Sequence, residues 1–484
     1  MKVVIFGRDA AAWLSANALQ TALGPTGLTI EVVELPSLLQ VQDIYPALPA
    51  LEAFHSQMRI DEHTLLKATG GSYSLGQSFN GFGPAPFFHA YGSHSVAIDQ
   101  LPFFQHFTRA RQKGLSVALE DFSLTAAGAK IGRFIVPDST TGSFARTDYG
   151  YHLRAVAYVD YLRAKALKSG VWVTPVRGAG VEPDAEGNIA ALVTGGQRVV
   201  GDLYIDATGP DAQLMRALDV GFESWRGWFR GDRILAAAGA PYASVPPYAR
   251  IEALDHGWQG LYATQDKTRL VQIHDSRLMR DDDALQVAAR ISGLKLGDAV
   301  VSELNPGRTV QAWAKNCVAI GEAACVFDPI DSPGLHTIQS GLVHLLALFP
   351  QDSGGAVERA EYNHLMQQGF ERTRDFQIVH SALCGHSGFY WRAPEAALPD
   401  MLRRKLETFR ARGIVPMSDG ETFPLDSWEA ILTGHGLTPE SFEPLVEATP
   451  DADLMAHLKR MLSYIREQVQ SMNSHDSYLE LFCK

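Results

Sequence analysis

Cysteine is scarce in this 484-residue chain, which has only Cys317, Cys325, Cys384 and Cys483 and no Cys-x-x-Cys pair. Thiols spread so thinly cannot staple a chain of this length, so a disulfide framework is excluded and buried free thiols are expected. Cys384 and His386 lie close in sequence, but a tetrahedral site needs more ligands than that segment offers, and no metal site is expected. Positive charge is also in deficit. With 42 Lys and Arg against 54 Asp and Glu the net charge is −12, which argues against nucleic acid, whose binding rests on clustered cations facing phosphates. Long apolar runs are missing as well. No window approaches the roughly 18 to 20 apolar residues of a membrane span. Arg8 and Asp9 interrupt the opening Val3-Val4-Ile5-Phe6 run although Ala16-Asn17-Ala18 has the look of a cleavage site, so a cytoplasmic protein is expected. The rest is ordinary globular composition, 46% hydrophobic and 20% charged, in a chain long enough for two or three intertwined units.

Val3-Val4-Ile5-Phe6 predicts a short buried strand, Asp9 to Leu23 a helix, and Thr29-Ile30-Glu31-Val32-Val33-Glu34 a second strand ending on an acid. Together they predict a β-α-β unit of the kind that binds the ADP half of a dinucleotide. The glycine fingerprint is degraded to Gly7-Arg8-Asp9-Ala10-Ala11-Ala12. Gly7 survives, Ala12 is an accepted third residue followed by Trp13, and Asp9 brings a negative side chain to the second position, where pyrophosphate would approach the helix start. Glu34 is placed to bond ribose hydroxyls; the plainer reading is a solvated acid at a strand end. Val171-Trp172-Val173 and Gly187 to Val193 predict a β-meander with a turn at Asp184 to Asn188. It leads into a third buried strand, Asp202 to Ala207, and a turn at Thr208-Gly209-Pro210. Asn316 to Ala324, with Gly321 and Glu322, reads as another strand-to-helix turn. From Glu358 onward the pattern is helical, most clearly at Glu361 to Ile378, Pro399 to Arg412, Trp428 to Thr433 and Ala452 to Met472.

The Ala207-Thr208-Gly209 turn resembles the one with which flavoprotein hydroxylases return to the FAD sheet, and Asn316 to Ala324 resembles their ribityl-binding segment. Beyond these, Phe327 to Gly341, Tyr362-Asn363, Arg374-Asp375-Phe376, Phe389-Tyr390-Trp391-Arg392, Leu425 to Gly436 and Met472 to Tyr478 resemble the flavin-dependent tryptophan halogenases along essentially the whole chain. The resemblance implies an α/β fold: a Rossmann-like FAD-binding box of the GR2 flavoprotein type, a mixed substrate sheet, and a C-terminal helical pyramid. The expected FAD box is discontinuous over 1–350, with FAD segments at about 1–40, 150–215 and 300–350 and substrate-side segments at about 60–150 and 215–300; residues 355–484 form the helical cover. Gly7, Ala12, Trp13, Glu34, Thr208, Gly209, Gly321, Glu322, Pro329, Ser332 and Gly334 are the implied cofactor residues. The family's reduced FAD and oxygen give a C4a-hydroperoxyflavin, halide attacks it, and a lysine captures or orients the hypohalous acid beside an aromatic substrate.

That lysine is missing. In Gly71-Ser72-Tyr73-Ser74-Leu75-Gly76-Gln77-Ser78-Phe79, Ser74 stands at its position, with neither the charge nor the nucleophilic amine. Lys67 is too far along the chain to replace it, and the family's glutamate is Asp331, shorter by one methylene. The Trp-x-Trp-x-Ile-Pro signature reads Trp258-Gln259-Gly260-Leu261-Tyr262-Ala263, which predicts open space at Gly260. Phe87, Phe88, His89 and Tyr91 are candidates to sandwich a planar substrate, with Phe389, Tyr390 and Trp391 closing the other side; core packing is the plainer reading of each ring, and His89 is read as a stacking, polar or catalytic group. Three functions stay open: an oxygenase using reduced FAD, oxygen and an indole-like molecule, favoured because the lysine is absent; a halogenase with a substitute for the lysine, taking halide; and a flavin-binding protein without turnover. No second dinucleotide fingerprint is visible, so a separate flavin reductase is the expected partner. A homodimer stays open.

Overall fold

The computed structural model describes residues 1–134, 146–350 and 355–483. The chain divides into two compact units, each assembled from three separate stretches: Met1–Gly71, Leu153–Arg226 and Glu303–Arg372 form the first, and Ser72–His152, Gly227–Ser302 and Thr373–Lys484 the second.

The first unit is built on a six-stranded sheet. Its order is Trp313–Ala314, Cys317–Ala319, Leu203–Ala207, Lys2–Gly7, Thr29–Glu34 and Trp172–Pro175. All neighbours run parallel except the short first pair. Lys2–Gly7 lies centrally, and its Val3, Val4, Ile5 and Phe6 are fully buried, which is why the segment reads as a continuous apolar run rather than an alternating one. Helix Asp9–Leu23 follows directly and buries Ala12, Trp13 and Leu14. The β-α-β unit and the returning strand thus form where the sequence predicts them. The meander is built from other strands than expected. Gly180–Pro183, Ile189–Thr194 and Gln197–Val199 form it, with Asp184 accepting from Glu186 N, Asn188 N and Asn188 Nδ2 at the turn. Trp172–Pro175 instead pairs with Thr29–Glu34 as a parallel edge strand. Three of the four cysteines are buried, and all are free.

In the second unit a largely antiparallel sheet runs in the order Val300–Glu303, Arg233–Gly239, Thr268–His274, Gly257–Ala263, Ala249–Leu254, Gly76–Asn80, Phe87–Ala90. One face is covered by helix Asp281–Ser292 through Leu235, Ala237, Leu261, Leu270, Ala284 and Ala288. The other carries Trp258, Gly260 and Tyr262 along one strand, as period-2 alternation requires. Helices Asp400–Arg412, Leu425–Gly434 and Asp451–Ser471 follow in the C-terminal stretch, within two residues of their sequence-read boundaries apart from the start of Leu425–Gly434, whereas helix Ala356–Ala382 begins five residues before and ends four residues after the expected Glu361 to Ile378. No described helix is long and apolar enough to cross a membrane.

Candidate functional site

The nucleotide end of the first unit begins at Gly7. A Cβ there would lie 2.1 Å from the Ala207 carbonyl oxygen, so the close approach of the two central strands admits only glycine. Asp9 has φ +57°, a left-handed conformation that Asp tolerates better than most side chains. Its carboxylate turns toward the loop after the second strand, accepting from Ser37 Oγ at 2.5 Å and from Leu38 N at 3.4 Å. Glu34 is gripped by Arg163, Nε to Oε1 at 2.9 Å and Nη2 to Oε2 at 3.0 Å, and that guanidinium lies 5.4 Å from the centre of the Trp13 ring. Glu34 is therefore a held acid rather than a freely solvated one.

The turn after the third strand is locked by Asp206. Its Oδ1 accepts from Thr208 Oγ1 at 2.6 Å and Thr208 N at 3.1 Å, and its Oδ2 from Leu214 N and Met215 N at 2.8 and 3.0 Å. Burial raises its carboxyl against the pull of those bonds. Gly209 follows, and a Cβ on it would lie 3.9 Å from Glu322 Oε2. Glu322, although solvent-accessible, is ringed by protein, and that desolvation together with Asp9 pushes its carboxyl above the usual range. Asp9 is raised by burial in the same direction, with Glu34 adding to it. Tyr45 belongs to this group: desolvation, Asp9 and Glu322 all hold its phenol protonated. Neither Tyr45 nor Arg8 carries a sequence signal that would have singled it out. In the second flavin segment Asp328 Oδ1 accepts from Ile330 N at 3.1 Å, Pro329 opens a single 3-10 turn ending at the buried Asp331, Ser332 has φ +60°, and Gly334 starts the helix Gly334–Ala347, which has no side-chain cap.

These residues fit a phosphate-bearing cofactor. Arg8 offers no side-chain cap to helix Asp9–Leu23 and its Nε is buried without a partner, while the Tyr45 phenol engages the Ala10 backbone N–H, so an anion at this helix start would meet the remaining N–H groups of the first turn, the positive end of the dipole and a guanidinium. Asp9 and Glu322 oppose it.

In the second unit Ser74 ends the strand Ser72–Ser74 opposite Gly150. It is 2% exposed, and its hydroxyl donates to the Gly76 carbonyl at 3.2 Å. Gly76 itself has φ +148°, and a Cβ on it would lie 2.2 Å from the His89 carbonyl oxygen. His89 is buried; its Nε2 and Ser427 Oγ are 2.9 Å apart, and its ring stands edge-on to Tyr91 at 6.0 Å. Phe88 is not in this group. Strand alternation turns it to the other face of the sheet, where it meets Tyr248 at 5.4 Å. Trp391 donates through Nε1 to the Leu254 carbonyl at 2.7 Å and touches Phe82, which reaches Phe79 and Phe87 in turn. His89 meets Phe376, Phe376 meets His380, and His380 meets Phe82, so His89, Tyr91 and Trp391 belong to one aromatic cluster.

The expected opening at Gly260 is absent. The Tyr262 ring covers it: a Cβ at Gly260 would lie 2.7 Å from both Cε2 and the hydroxyl of Tyr262. The ring is buried and meets His152 edge-on at 5.4 Å, while His152 Nδ1 is 3.1 Å from the Ala263 carbonyl. Residues two apart share a strand face, so a tyrosine at 262 can fill what a glycine at 260 leaves.

The model of the tryptophan halogenase family matches residues 2–451. The chain belongs to that family. Among solved structures it is similar to BrvH, a flavin-dependent halogenase from Brevundimonas sp. BAL3, at 30% identity and TM-score 0.93 over 100% of this chain and 99% of that one. It is also similar to Xcc4156, a flavin-dependent halogenase from Xanthomonas campestris, at 30% identity and TM-score 0.95, over 100% of this chain and 98% of that one. Tryptophan 7-halogenase RebH from Lentzea aerocolonigenes is 26% identical, with 93% of this chain and 92% of that protein covered. As a tryptophan halogenase family member the protein is a flavin-dependent enzyme with a Rossmann-like FAD-binding fold. Enzymes of this family use FAD reduced by a separate flavin reductase, with oxygen, halide and aromatic substrates.

Proposed function

We propose that this family member is an oxygenase: it transfers one oxygen atom of O2 to an indole-like aromatic small molecule and releases the other as water, the two electrons coming from reduced FAD. The observation that carries this reading is Ser74, a buried neutral hydroxyl donating to the Gly76 carbonyl. It can orient a polar oxidant but cannot hold one by charge or form a haloamine. Among the described residues Lys405 is the one buried lysine, and its ammonium is already held by Glu421 and the Pro416 carbonyl at 2.6 Å each.

FAD would be held by Gly7, Ala12, Trp13, Glu34, Thr208, Gly209, Gly321, Glu322, Pro329, Ser332 and Gly334, in segments 1–40, 150–215 and 300–350. When bound and reduced it supplies the two-electron activation of dioxygen. Trp258 and Tyr262, packed without a gap at Gly260, exclude water along their strand. Asp331, fully buried, serves as the proton acceptor at its carboxylate. His89, held against Ser427, and Tyr91 and Trp391 supply aromatic and polar contacts for a planar substrate; Phe88 supports the sheet from behind. Halogenation is the second reading, favoured by the 30% identity to two flavin-dependent halogenases.

The test is one turnover with chemically reduced FAD, 18O-labelled oxygen and indole, with and without bromide, read by mass spectrometry. A product carrying one 18O atom regardless of bromide supports the oxygenase. A brominated product at a single carbon, with no labelled oxygen incorporated, overturns it.

A further inference from the structure

His94 follows the aromatic strand Phe87–Ala90, and Asp426 and Glu429 lie three residues apart in the helix Leu425–Gly434, on one helix face. The backbone N–H of His94 donates to Asp426 Oδ1 at 3.1 Å across 332 residues of chain, fastening the loop to the first helical turn. One ligand atom from each of His94, Asp426 and Glu429 lies within 4.8 Å of the other two. His94 is 4% exposed and Glu429 8%, so these are not the solvated carboxylates of an ordinary helix start. The imidazole has a loose partner: His94 Nδ1 is buried without a well-formed hydrogen bond, and its ion-pair partner, Asp426 Oδ1, lies 3.5 Å away and, against the desolvation of that carboxylate, is held below the usual carboxylate range by it. Among the described residues no lysine or arginine is paired with Glu429. Arg146 acts on Asp426 from nearby but forms its own pair with Asp148 at 2.9 Å.

We propose that His94, Asp426 and Glu429 form a binding site for a single divalent cation of the zinc or manganese class. One imidazole nitrogen with two carboxylates is a donor set for borderline ions; calcium and magnesium prefer all-oxygen surroundings. With metal–ligand distances of about 2.0–2.2 Å, ligand atoms at tetrahedral angles lie about 3.4 Å apart, so atoms now within 4.8 Å of one another close by up to about 1.4 Å, a movement that side-chain rotation supplies. A doubly charged ion would offset both carboxylates and give the His94 nitrogen a closer partner than Asp426 Oδ1 at 3.5 Å. The ion's place is structural: Ser427, between the two carboxylate residues, holds His89, so an ion clamping the helix start to the His94 loop fixes that contact.

The experiment is isothermal titration of chelator-treated, full-length protein with ZnCl2 and separately with MnCl2, against CaCl2 and MgCl2 as controls. One equivalent of zinc or manganese is expected to bind and to raise the thermal midpoint. Glu429→Gln and His94→Gln, each keeping shape, are each expected to weaken binding at least about tenfold. Asp426→Asn, at a half-exposed position, serves as the further variant should either of these fail to fold by circular dichroism. No saturable zinc or manganese binding to the wild type, or unchanged affinity in the folded variants, overturns the site.

Discussion

The ring of Tyr262 lies over Gly260 on the same face of its strand, so close that a methyl group at 260 would be 2.7 Å from the tyrosine hydroxyl. The two positions are therefore one packing unit. Gly260→Ala forces the ring aside and is expected to destabilise by about 1–3 kcal/mol, and Tyr262→Ala, which leaves a cavity, by about 3–5 kcal/mol. In the double variant the alanine enters the space the ring has left. Its loss should be smaller than the sum of the two, a coupling that urea denaturation of the four proteins measures directly. Strict additivity would mean that the ring and the glycine do not share a space in solution.

Asp9 should make cofactor binding pH-dependent. It and Glu322 are already held above their usual carboxyl range, and a pyrophosphate dianion nearby pushes both further up, so binding takes up protons. FAD affinity should accordingly rise as the pH is lowered from neutrality into the raised carboxyl range of these two groups. Asp9→Gly suits the φ of +57° and removes one of the opposing charges; FAD should bind about tenfold more tightly, with a shallower pH dependence. Calorimetric titration with oxidised FAD checks both, and an Asp9→Gly protein that binds FAD no better than wild type places the carboxylate away from the phosphates.

Much of this was readable in the sequence, for reasons particular residues make clear. Val3 to Phe6, Asp9 to Leu23 and Thr29 to Glu34 carry local periodicity, so the β-α-β unit is visible without tertiary information. Even the side of Phe88 follows from alternation: in a strand it cannot face the same way as Phe87 and His89, and grouping the three overlooked that parity. Other features depend on partners far away in the chain. Arg163 meets Glu34 across 129 residues, and nothing near either residue announces it. The filling of Gly260 depends on a side-chain rotamer at Tyr262, which composition and spacing leave undetermined. Tyr45 becomes significant only when folding brings Asp9 and Glu322 beside it.

Acid should loosen the protein through its buried histidines. Burial lowers His55 to about 3 and His152 and His475 to about 4, whereas in the unfolded chain each titrates near 6.5. Folded pKa values below unfolded ones mean that the unfolded state binds more protons in between. The stability each contributes is complete above about pH 6.5 and is lost as the pH falls toward 4, on the order of 2 kcal/mol apiece by pH 5. Urea midpoints at pH 7 and pH 5 should differ accordingly. His152→Gln, which can still donate to the Ala263 carbonyl, should narrow the difference; an unchanged gap would assign the acid sensitivity to other groups.

Ser74 carries the choice between oxygenation and halogenation. If bromination is impaired because an ammonium is missing, wild-type protein given reduced FAD, oxygen, bromide and indole should not brominate one carbon selectively, and Ser74→Lys should gain some of that activity. Bromide is the fair halide because it is oxidised more easily than chloride. Recovery should be partial. The position is 2% exposed and its hydroxyl is bonded to the Gly76 carbonyl, so a lysine there is desolvated, its pKa is pulled down, and folding loses a few kcal/mol, about what burying a poorly paired polar group costs. The covered face at Gly260 works in the variant's favour, since a closed strand gives the oxidant one fewer route of escape. The variant's bromination should rise as pH falls and the ammonium fills, a dependence that chromatographic product analysis between pH 6 and 9 would reveal. Selective bromination by the unaltered protein, at a rate the lysine variant does not exceed, would remove the main support for the oxygenase reading.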